Sequence, residues 1–101
     1  MNSLMVKRGG DLFDLEQIYA LEKRIFKNEA WTRAMLKIEL LCINDSETLI
    51  IEENKLILGY FIYRKISSEY HVLNIGVSPL RQKEGIGSIL LIDFLNDLEN
   101  I

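Results

Sequence analysis

The sequence is short of the residues that most often build metal centres and cross-links: it has one cysteine, one histidine and one proline in 101 residues. Cys42 alone cannot form an intrachain disulfide, and this usage is typical of a reducing compartment. It lies in the apolar run Leu40-Leu41-Cys42-Ile43, where a buried structural thiol is expected rather than a nucleophile. One Cys and one His do not provide the ligands of a zinc site, so we expect no metal.

The sequence also lacks a basic stripe and a long apolar segment. Its net charge is −3, and its lysines and arginines are scattered, which argues against nucleic acid as a partner. No apolar run reaches the length of a membrane span, and the N-terminus has no apolar core of a signal peptide. We therefore expect a cytoplasmic protein without a membrane partner. Its length suits a single domain over residues 1–101.

The most informative stretch joins an apolar strand to a long helix. Val72–Val77 is β-branched and apolar, as expected of a buried strand, and Pro79 ends it because proline has no N–H for a ladder. The strand is followed by a short polar turn with two glycines. Apolar residues then recur at helical spacing from a helix start near Gly85: Ile86, Ile89, Leu90, Ile92, Leu95 and Leu98.

Gly85 and Gly87 lie at the junction of this strand and helix. A residue without a Cβ permits a ligand to approach the backbone closely. The first amides of a helix lack intrahelical partners and carry the positive end of its dipole, so the junction predicts an anion site, most often for phosphate. The run Gln82-Lys83-Glu84 adds further amides and one positive charge. The alternative is a tight turn in which the glycines merely relieve crowding.

Two other glycine-rich sites are excluded by the residues of the turn. It has neither the Gly-Lys-Ser/Thr of a P-loop nor the third glycine of a dinucleotide fingerprint. What remains is the run Val77-x-Pro79-x-x-Gln82-x-x-Gly85-x-Gly87 between an apolar strand and an apolar helix. This run resembles motif A of the GCN5-related N-acetyltransferases (the GNAT family).

The rest of the chain divides into short elements. The predicted elements are a strand over Leu4–Arg8, a helix capped by Asp11 that runs to about Phe26, a helix capped by Thr32 that runs to near Cys42, and strands over Thr48–Glu52 and Leu56–Tyr63. The last two strands form a hairpin through Glu53-Asn54-Lys55. The second of them is apolar on both faces, which predicts a central position between helices. Gly59 within it predicts a bulge or a close backbone contact.

The resulting order β-α-α-β-β-β-α is that of the amino-terminal half of the GNAT acyl-CoA N-acyltransferase fold, so the resemblance covers the whole chain. It implies a single α/β domain with a mixed, mostly antiparallel sheet that lacks the family's C-terminal strands and helix. The segment Phe26–Thr32 is similar to one in the bacterial enzymes that acetylate the N-terminal alanine of ribosomal proteins. Ala30 stands where those enzymes usually have proline before the Trp, and Trp31 itself is expected to pack in the core.

The resemblance implies a cofactor site. In the family, backbone groups of the strand pair with the pantetheine arm of acetyl-CoA, and amides of the turn hold the pyrophosphate. The corresponding residues here are Asn74, Ile75, Gly76 and Val77 for the arm, and Gln82, Lys83, Glu84, Gly85, Ile86, Gly87 and Ser88 for the pyrophosphate. The implied cosubstrate is acetyl-CoA. The implied acceptor is a primary amine, either a protein or peptide amino terminus, such as that of a ribosomal protein, or a small amine.

The resemblance does not supply a catalytic base, because the family's general base and aromatic acid lie beyond the match to Ile101. His71 is the remaining candidate, since it lies six residues before Val77, where the histone-acetylating branch has its catalytic glutamate. The alternative, which we favour, is a strand residue with a hydrogen-bonded or solvated ring. We expect little or no transferase activity from this chain alone. We also expect self-association, or capture of a partner strand, through the open edge of the cofactor strand.

Three functions are weighed on this basis. The first is an acetyl-CoA-dependent N-acetyltransferase. The second is a non-catalytic, truncated GNAT module that binds coenzyme A or a partner chain. The third, a small structural α/β protein without a cofactor, requires the complete motif to be accidental and ranks last. Acetyl transfer separates the first two, and coenzyme A binding separates both from the third.

Overall fold

The helices and strands follow one another in the order that the sequence predicts. A computed structural model describes residues 4–41, 45–81 and 84–99. Its elements are β1 (Leu4–Arg8), α1 (Leu12–Phe26), a 3-10 turn (Lys27–Glu29), α2 (Arg33–Leu40), β2 (Ser46–Glu53), β3 (Leu56–Ile66), β4 (Glu69–Val77) and α3 (Ile86–Glu99). No helix within these described ranges is long and apolar enough to cross a membrane.

The four strands form one sheet in the order β1-β2-β3-β4, and each neighbouring pair is antiparallel. The predicted hairpin between β2 and β3 is confirmed. Its two turn residues, Asn54 and Lys55, have φ values of 53° and 68°, as in the tight turns that match the twist of paired strands. β3 therefore lies inside the sheet, between β2 and β4, as its apolar sequence predicts.

Both helix caps predicted from the sequence are present. The side chain of Asp11 accepts a hydrogen bond from the Asp14 amide at 2.9 Å, and the Asp14 side chain accepts one from the Asp11 amide in return. Thr32 Oγ1 accepts from the Met35 amide at 3.2 Å. These contacts satisfy amides at the helix starts that have no intrahelical partner. Helix α2 ends at Leu40, and Cys42 lies outside the described residues.

The sheet is covered by helices on both faces, which gives three layers. On one face, α1 and α2 pack against β2 and β3 in a core cluster of Leu15, Ile18, Leu21, Leu36, Leu40, Ile50, Ile57, Tyr60 and Ile62. On the other face, α3 packs in a second cluster of Leu49, Ile51, Leu58, Phe61, Tyr63, Ile86, Leu90 and Phe94. Successive residues of β3 therefore contribute to opposite cores. Trp31 packs partly buried against the first cluster, as expected.

Two predictions about β3 and β4 have different outcomes. The register shift between Ile51 and Glu52 of β2 places a bulge beside Gly59, so the predicted bulge is confirmed. The prediction that Val72–Val77 is a buried strand is wrong in part, because Val72 and Ile75 are exposed. Among the described strands β4 pairs only with β3, and a strand at the edge of a sheet has less cover than one inside it.

Candidate functional site

The turn after β4 is held by backbone hydrogen bonds that carry the chain directly into α3. The Ser78 amide donates to the Leu58 carbonyl at 2.7 Å, and the Arg81 amide donates to the Ser78 carbonyl at 2.9 Å. The first bond of α3 is donated by the Ile89 amide to the Gly85 carbonyl at 3.0 Å. The turn is therefore attached to β3 at one end and continuous with the helix at the other.

The amides of Ile86, Gly87 and Ser88 precede that first helical bond. Amides in this position have no partner within a helix and carry the positive end of its dipole. The side chain of Ile86 is buried against β3 and fixes the start of the helix, whereas Ser88 is exposed. The helix start thus offers donors to an anion.

The two glycines of the turn differ in what the protein itself requires of them. Gly85 has a φ of +79°, a left-handed conformation that side chains disfavour, and this conformation explains the glycine. Gly87 lies in the first turn of α3. A Cβ added there would meet Val77 Cγ2 at 3.7 Å, an ordinary contact. Neither its backbone conformation nor its packing against the described residues therefore requires a glycine at position 87.

Arg81 fixes the turn and was not singled out from the sequence. Its Nε donates to Glu84 Oε2 at 2.6 Å and its Nη1 to Glu53 Oε1 at 3.1 Å, and these hydrogen bonds raise the pKa of Arg81. The contacts join the turn to the end of β2 and partly neutralise the Glu84 carboxylate beside the helix start. The opposite charges three residues apart were the available sequence signal. Gln82 and Lys83 lie outside the described residues.

The other predicted cofactor residues lie along β4, beside the edge of the sheet. The side chain of Asn74 is buried and points toward α1, and Gly76 is also buried. Val77 packs on the α3 side, and Ile75 is 39% exposed. Because β4 has no second neighbour among the described strands, it forms one edge of the sheet there.

Gly76 is required by a close approach of Tyr60. A Cβ at Gly76 would lie 2.5 Å from both Cζ and Oη of that ring, too close for two non-bonded atoms. Tyr60 is fully buried and its hydroxyl donates to Glu22 Oε1. Burial raises the pKa of Tyr60 above its ordinary value of 10.0, and the bond to Glu22 raises it further. Tyr60 is thus a neutral packing residue and donor.

Glu22 is a buried carboxylate that sequence reasoning missed. It is 1% exposed on α1 and accepts hydrogen bonds from the side chains of Tyr60 and Asn74 and from the Trp31 amide. The sequence signal was weak, because Glu22 has the same residue type as Glu16, which is exposed on the same helix. Only its place on the buried face of α1 distinguishes it.

His71, the candidate base, lies near the start of β4 opposite Arg64. Its side chain is 44% exposed, and Nε2 lies 3.4 Å from Glu69 Oε1. The structure does not bring His71 to the glycine turn, which follows the other end of β4. The only acid that contacts it in the described ranges, Glu69, is itself exposed.

Two clefts flank these elements. One borders the turn and is lined by residues of α1, the start of β3 and the turn, among them Arg24, Leu58, Ser78 and Arg81. The other is polar and lies at the far end of β4 and α3, where Asp45, Glu47, Tyr63, Lys65, Tyr70 and Asp97 line it. Ser78 and Arg81, which line the first cleft, are the neighbours in sequence of the predicted cofactor residues in β4 and the turn.

Comparison with solved structures identifies the same arrangement in known acetyltransferases. The ribosomal-protein-S18-alanine N-acetyltransferase from Escherichia coli superposes with a TM-score of 0.80 at 21% identity, over 96% of this chain and 60% of that one. A GNAT family acetyltransferase from Brucella melitensis, solved with acetyl-CoA, has a TM-score of 0.77 at 20% identity, over 99% of this chain and 71% of that one. Diaminobutyrate acetyltransferase from Paenibacillus lautus, solved with L-2,4-diaminobutyric acid and coenzyme A, has a TM-score of 0.80 at 15% identity, over 95% of this chain and 58% of that one.

The three-layer α/β fold is therefore that of the GNAT acetyltransferases. The chain belongs to the acetyltransferase (GNAT) family, whose sequence model matches residues 13–100. No curated protein matches the chain at the sequence level. The chain spans 60% of the length of the E. coli enzyme.

Proposed function

We propose that this chain binds acetyl-CoA at the start of α3 and along β4, as part of a cytoplasmic N-acetyltransferase that acetylates a primary amine. The observation that carries the proposal is Gly87. Among the residues that the structure describes, neither conformation nor packing requires a glycine there, and a ligand against the backbone supplies a reason for it. The acetyl-CoA complex of the Brucella protein, which has the same fold, supports the proposal.

The pyrophosphate and the pantetheine arm of acetyl-CoA each have chemically suited partners in this chain. The pyrophosphate would accept hydrogen bonds from the amides of Ile86, Gly87 and Ser88. The amides of the pantetheine arm would pair with the outer backbone edge of β4 at Asn74–Gly76, as an added strand does. The thioester would then lie farther along β4, toward its start.

The reaction that this placement serves is direct attack of the amine nitrogen on the thioester carbonyl carbon. The C–N bond forms, the C–S bond breaks, and the sulfur leaves as the thiolate of coenzyme A. A base takes one proton from the amine, and a proton from water converts the thiolate into the thiol. His71 is the one candidate for that base that the sequence offers within this chain, but its exposed ring and its contact with Glu69 support the alternative that we favour, a strand residue.

The acceptor that we propose is the amino terminus of a protein, with a ribosomal protein as the leading case. The similarity of Phe26–Thr32 to the alanine acetyltransferases supports this choice. The fold also occurs in the Paenibacillus enzyme, whose substrate is a small diamine, so a panel of peptides and diamines is the right set to assay.

Titration of the protein with coenzyme A in a calorimeter tests the binding proposal. We expect saturable binding at one site per chain. If neither coenzyme A nor acetyl-CoA produces saturable heat, the proposal is wrong. Thiol release from acetyl-CoA with the amine panel then separates a transferase from the alternative, a module that binds coenzyme A without transferring the acetyl group. Binding without thiol release would favour the module.

We also propose that the isolated chain self-associates through the edge of β4. β4 has nine residues and exposes Val72, whereas β1, the other edge, has five residues, of which two are the charged Lys7 and Arg8. Long apolar edges pair readily and charged edges resist pairing. Val72→Lys should therefore weaken association, and Met5→Lys on β1 should not.

Sedimentation velocity over a range of concentrations measures this association. Coenzyme A should shift the wild-type protein toward monomer, since the pantetheine arm and a second copy would occupy the same edge. A wild-type protein that stays monomeric at every concentration would contradict the proposal. Equal effects of the two lysine substitutions would place the contact elsewhere.

A further inference from the structure

We propose that the first cleft, between α1, the start of β3 and the turn after β4, binds a small carboxylate with an aliphatic chain. The cleft is lined by residues other than those proposed to hold acetyl-CoA, so this site does not depend on the proposed function. Three features support this class of ligand: the apolar walls, the charge of the lining, and a buried serine hydroxyl group at the cleft.

The walls of the cleft are mostly apolar, as in most small-molecule sites. The apolar lining residues are Ala20, Leu21, Leu56, Ile57, Leu58 and Leu80. Leu56 is 59% exposed and Leu80 is 81% exposed, so the cleft presents apolar surface to water that a ligand would cover. The cavity has a volume of about 290 Å³. At the ~30 Å³ that a water molecule occupies in the liquid, this is room for roughly ten heavy atoms.

Hydrogen bonds hold the walls of the cleft together. Gln17 Nε2 on α1 donates to the Lys55 carbonyl at 3.0 Å, and Gln17 Oε1 accepts from the Ile57 amide at 2.9 Å. On the side of the turn, the Ser78 amide donates to the Leu58 carbonyl at 2.7 Å. Helix α1 and the turn are therefore both attached to the start of β3. A cleft formed in this way before the ligand arrives loses little entropy when the ligand binds.

The charge of the lining favours an anion. Its charged residues are Arg24 and Arg81, and no acidic residue of the described part of the chain lines the cleft. Arg81 already donates to Glu53 and Glu84. Arg24, in contrast, forms no ion pair within the part of the chain that the structure describes. Since a guanidinium group can donate two parallel hydrogen bonds to a carboxylate, we expect Arg24 to hold the head group of the ligand.

Ser78 provides a second donor at the cleft. The residue is 6% exposed, and its backbone amide and carbonyl both form hydrogen bonds within the protein. Its hydroxyl group forms none with the other residues that the structure describes. Buried polar groups normally have a hydrogen-bond partner, and a carboxylate in the cleft would accept from this hydroxyl group. The aliphatic chain of the same ligand would then lie over the apolar walls.

Octanoate is a suitable probe, because it is an eight-carbon carboxylate of about the size of the cleft. On titration into isotope-labelled protein without coenzyme A, it should cause saturable chemical-shift changes at the amides of Leu21, Ile57 and Leu58. Octylammonium has the same chain with the opposite charge and should cause none. Octanoate changes centred on Gly87 and Ser88 would show that the carboxylate binds the start of α3, and would overturn the proposal. Changes that appear only where octanoate forms micelles would also overturn it.

Two substitutions on α1 test the head group and the cleft separately. Arg24→Gln should weaken octanoate binding about tenfold or more, because it removes a charge-assisted hydrogen bond. Lys23→Gln is the matched control: Lys23 lies in the same last turn of α1 but over the ring of Tyr19, and this variant should bind octanoate like the wild type. Ala20→Phe adds a ring at an exposed position of the lining and should block binding without changing the charge.

The outcomes of these titrations decide the proposal without coenzyme A. Equal octanoate affinity of Arg24→Gln and Lys23→Gln would overturn it, and so would wild-type affinity in folded Ala20→Phe. If Ala20→Phe does not fold, Ser78→Ala replaces it, since the lost hydroxyl group has no bond to break in the described part of the protein. Ser78→Ala should bind octanoate about threefold or more weakly than the wild type, and unchanged affinity would contradict the site.

Discussion

Replacing Gly87 with Glu should strongly weaken coenzyme A binding while the protein stays folded. The new carboxylate would lie over the first amides of α3, where it repels the phosphates and fills the space that the glycine leaves open. We expect affinity to fall by roughly a hundredfold, which is about 2.8 kcal/mol at 1.4 kcal/mol per factor of ten. Calorimetric titration of the variant and of the wild type measures the loss.

Folding should be preserved because the site has room for a side chain. A Cβ at position 87 makes only an ordinary contact, 3.7 Å from Val77 Cγ2, and an acidic residue near a helix start is favourable by roughly 0.3–1 kcal/mol. Asn96→Glu is the matched control, since it adds the same charge at an exposed position near the other end of α3. It should bind coenzyme A like the wild type. Equal affinity of Gly87→Glu and wild type would place the phosphates elsewhere.

Replacing Gly76 with Ala should destabilise the protein far more than a substitution at Gly87. The added methyl group would lie 2.5 Å from Tyr60 Cζ and Oη, in a core where the ring cannot move outward because it is fully buried. Overpacking of this kind costs about 1–3 kcal/mol, and displacement of the hydroxyl from Glu22 adds the cost of a lost buried hydrogen bond, about 1–3 kcal/mol. We expect the free energy of unfolding to fall by about 2–6 kcal/mol.

Chemical denaturation of two further variants tests whether the contact with Tyr60 causes the loss of stability at position 76. Gly87→Ala is the same substitution where the new methyl group has room, and it should be neutral or stabilising by up to about 1 kcal/mol. In a Tyr60→Leu background, which removes the ring tip, Gly76→Ala should cost much less than in the wild type. If it costs the same in both backgrounds, the contact with Tyr60 is not the reason that position 76 is glycine.

Local signals were sufficient to predict most of the fold. Asp11 and Thr32 mark the helix starts because a side-chain oxygen can satisfy free amides, and both caps form. The turn at Asn54 and Lys55 follows from residue type and from the apolar runs on either side. The family resemblance then supplied the arrangement of the elements. Neighbouring residues determine these features, so a single sequence contains the information.

Features that depend on distant residues could not be predicted. The exposure of Val72 and Ile75 follows from the edge position of β4, and composition does not report which strand lies at an edge. Glu22 meets Tyr60 and Asn74 across 38 and 52 residues of sequence, and a glutamate on a helix is usually solvated. At the candidate site, the glycine turn was predictable from its motif. That Gly87 has room for a side chain, whereas Gly76 has none, is known only from the packing around them.

Amide chemical shifts during titration with coenzyme A test the central claim most directly. On addition of coenzyme A to isotope-labelled wild-type protein, the largest changes should occur at the amides of Ile75, Val77, Ile86, Gly87 and Ser88, which lie along β4 and at the start of α3. Amides of β1 should change little. Changes centred on the polar cleft around Asp45, Glu47 and Tyr70, or no changes at saturating coenzyme A, would contradict the account.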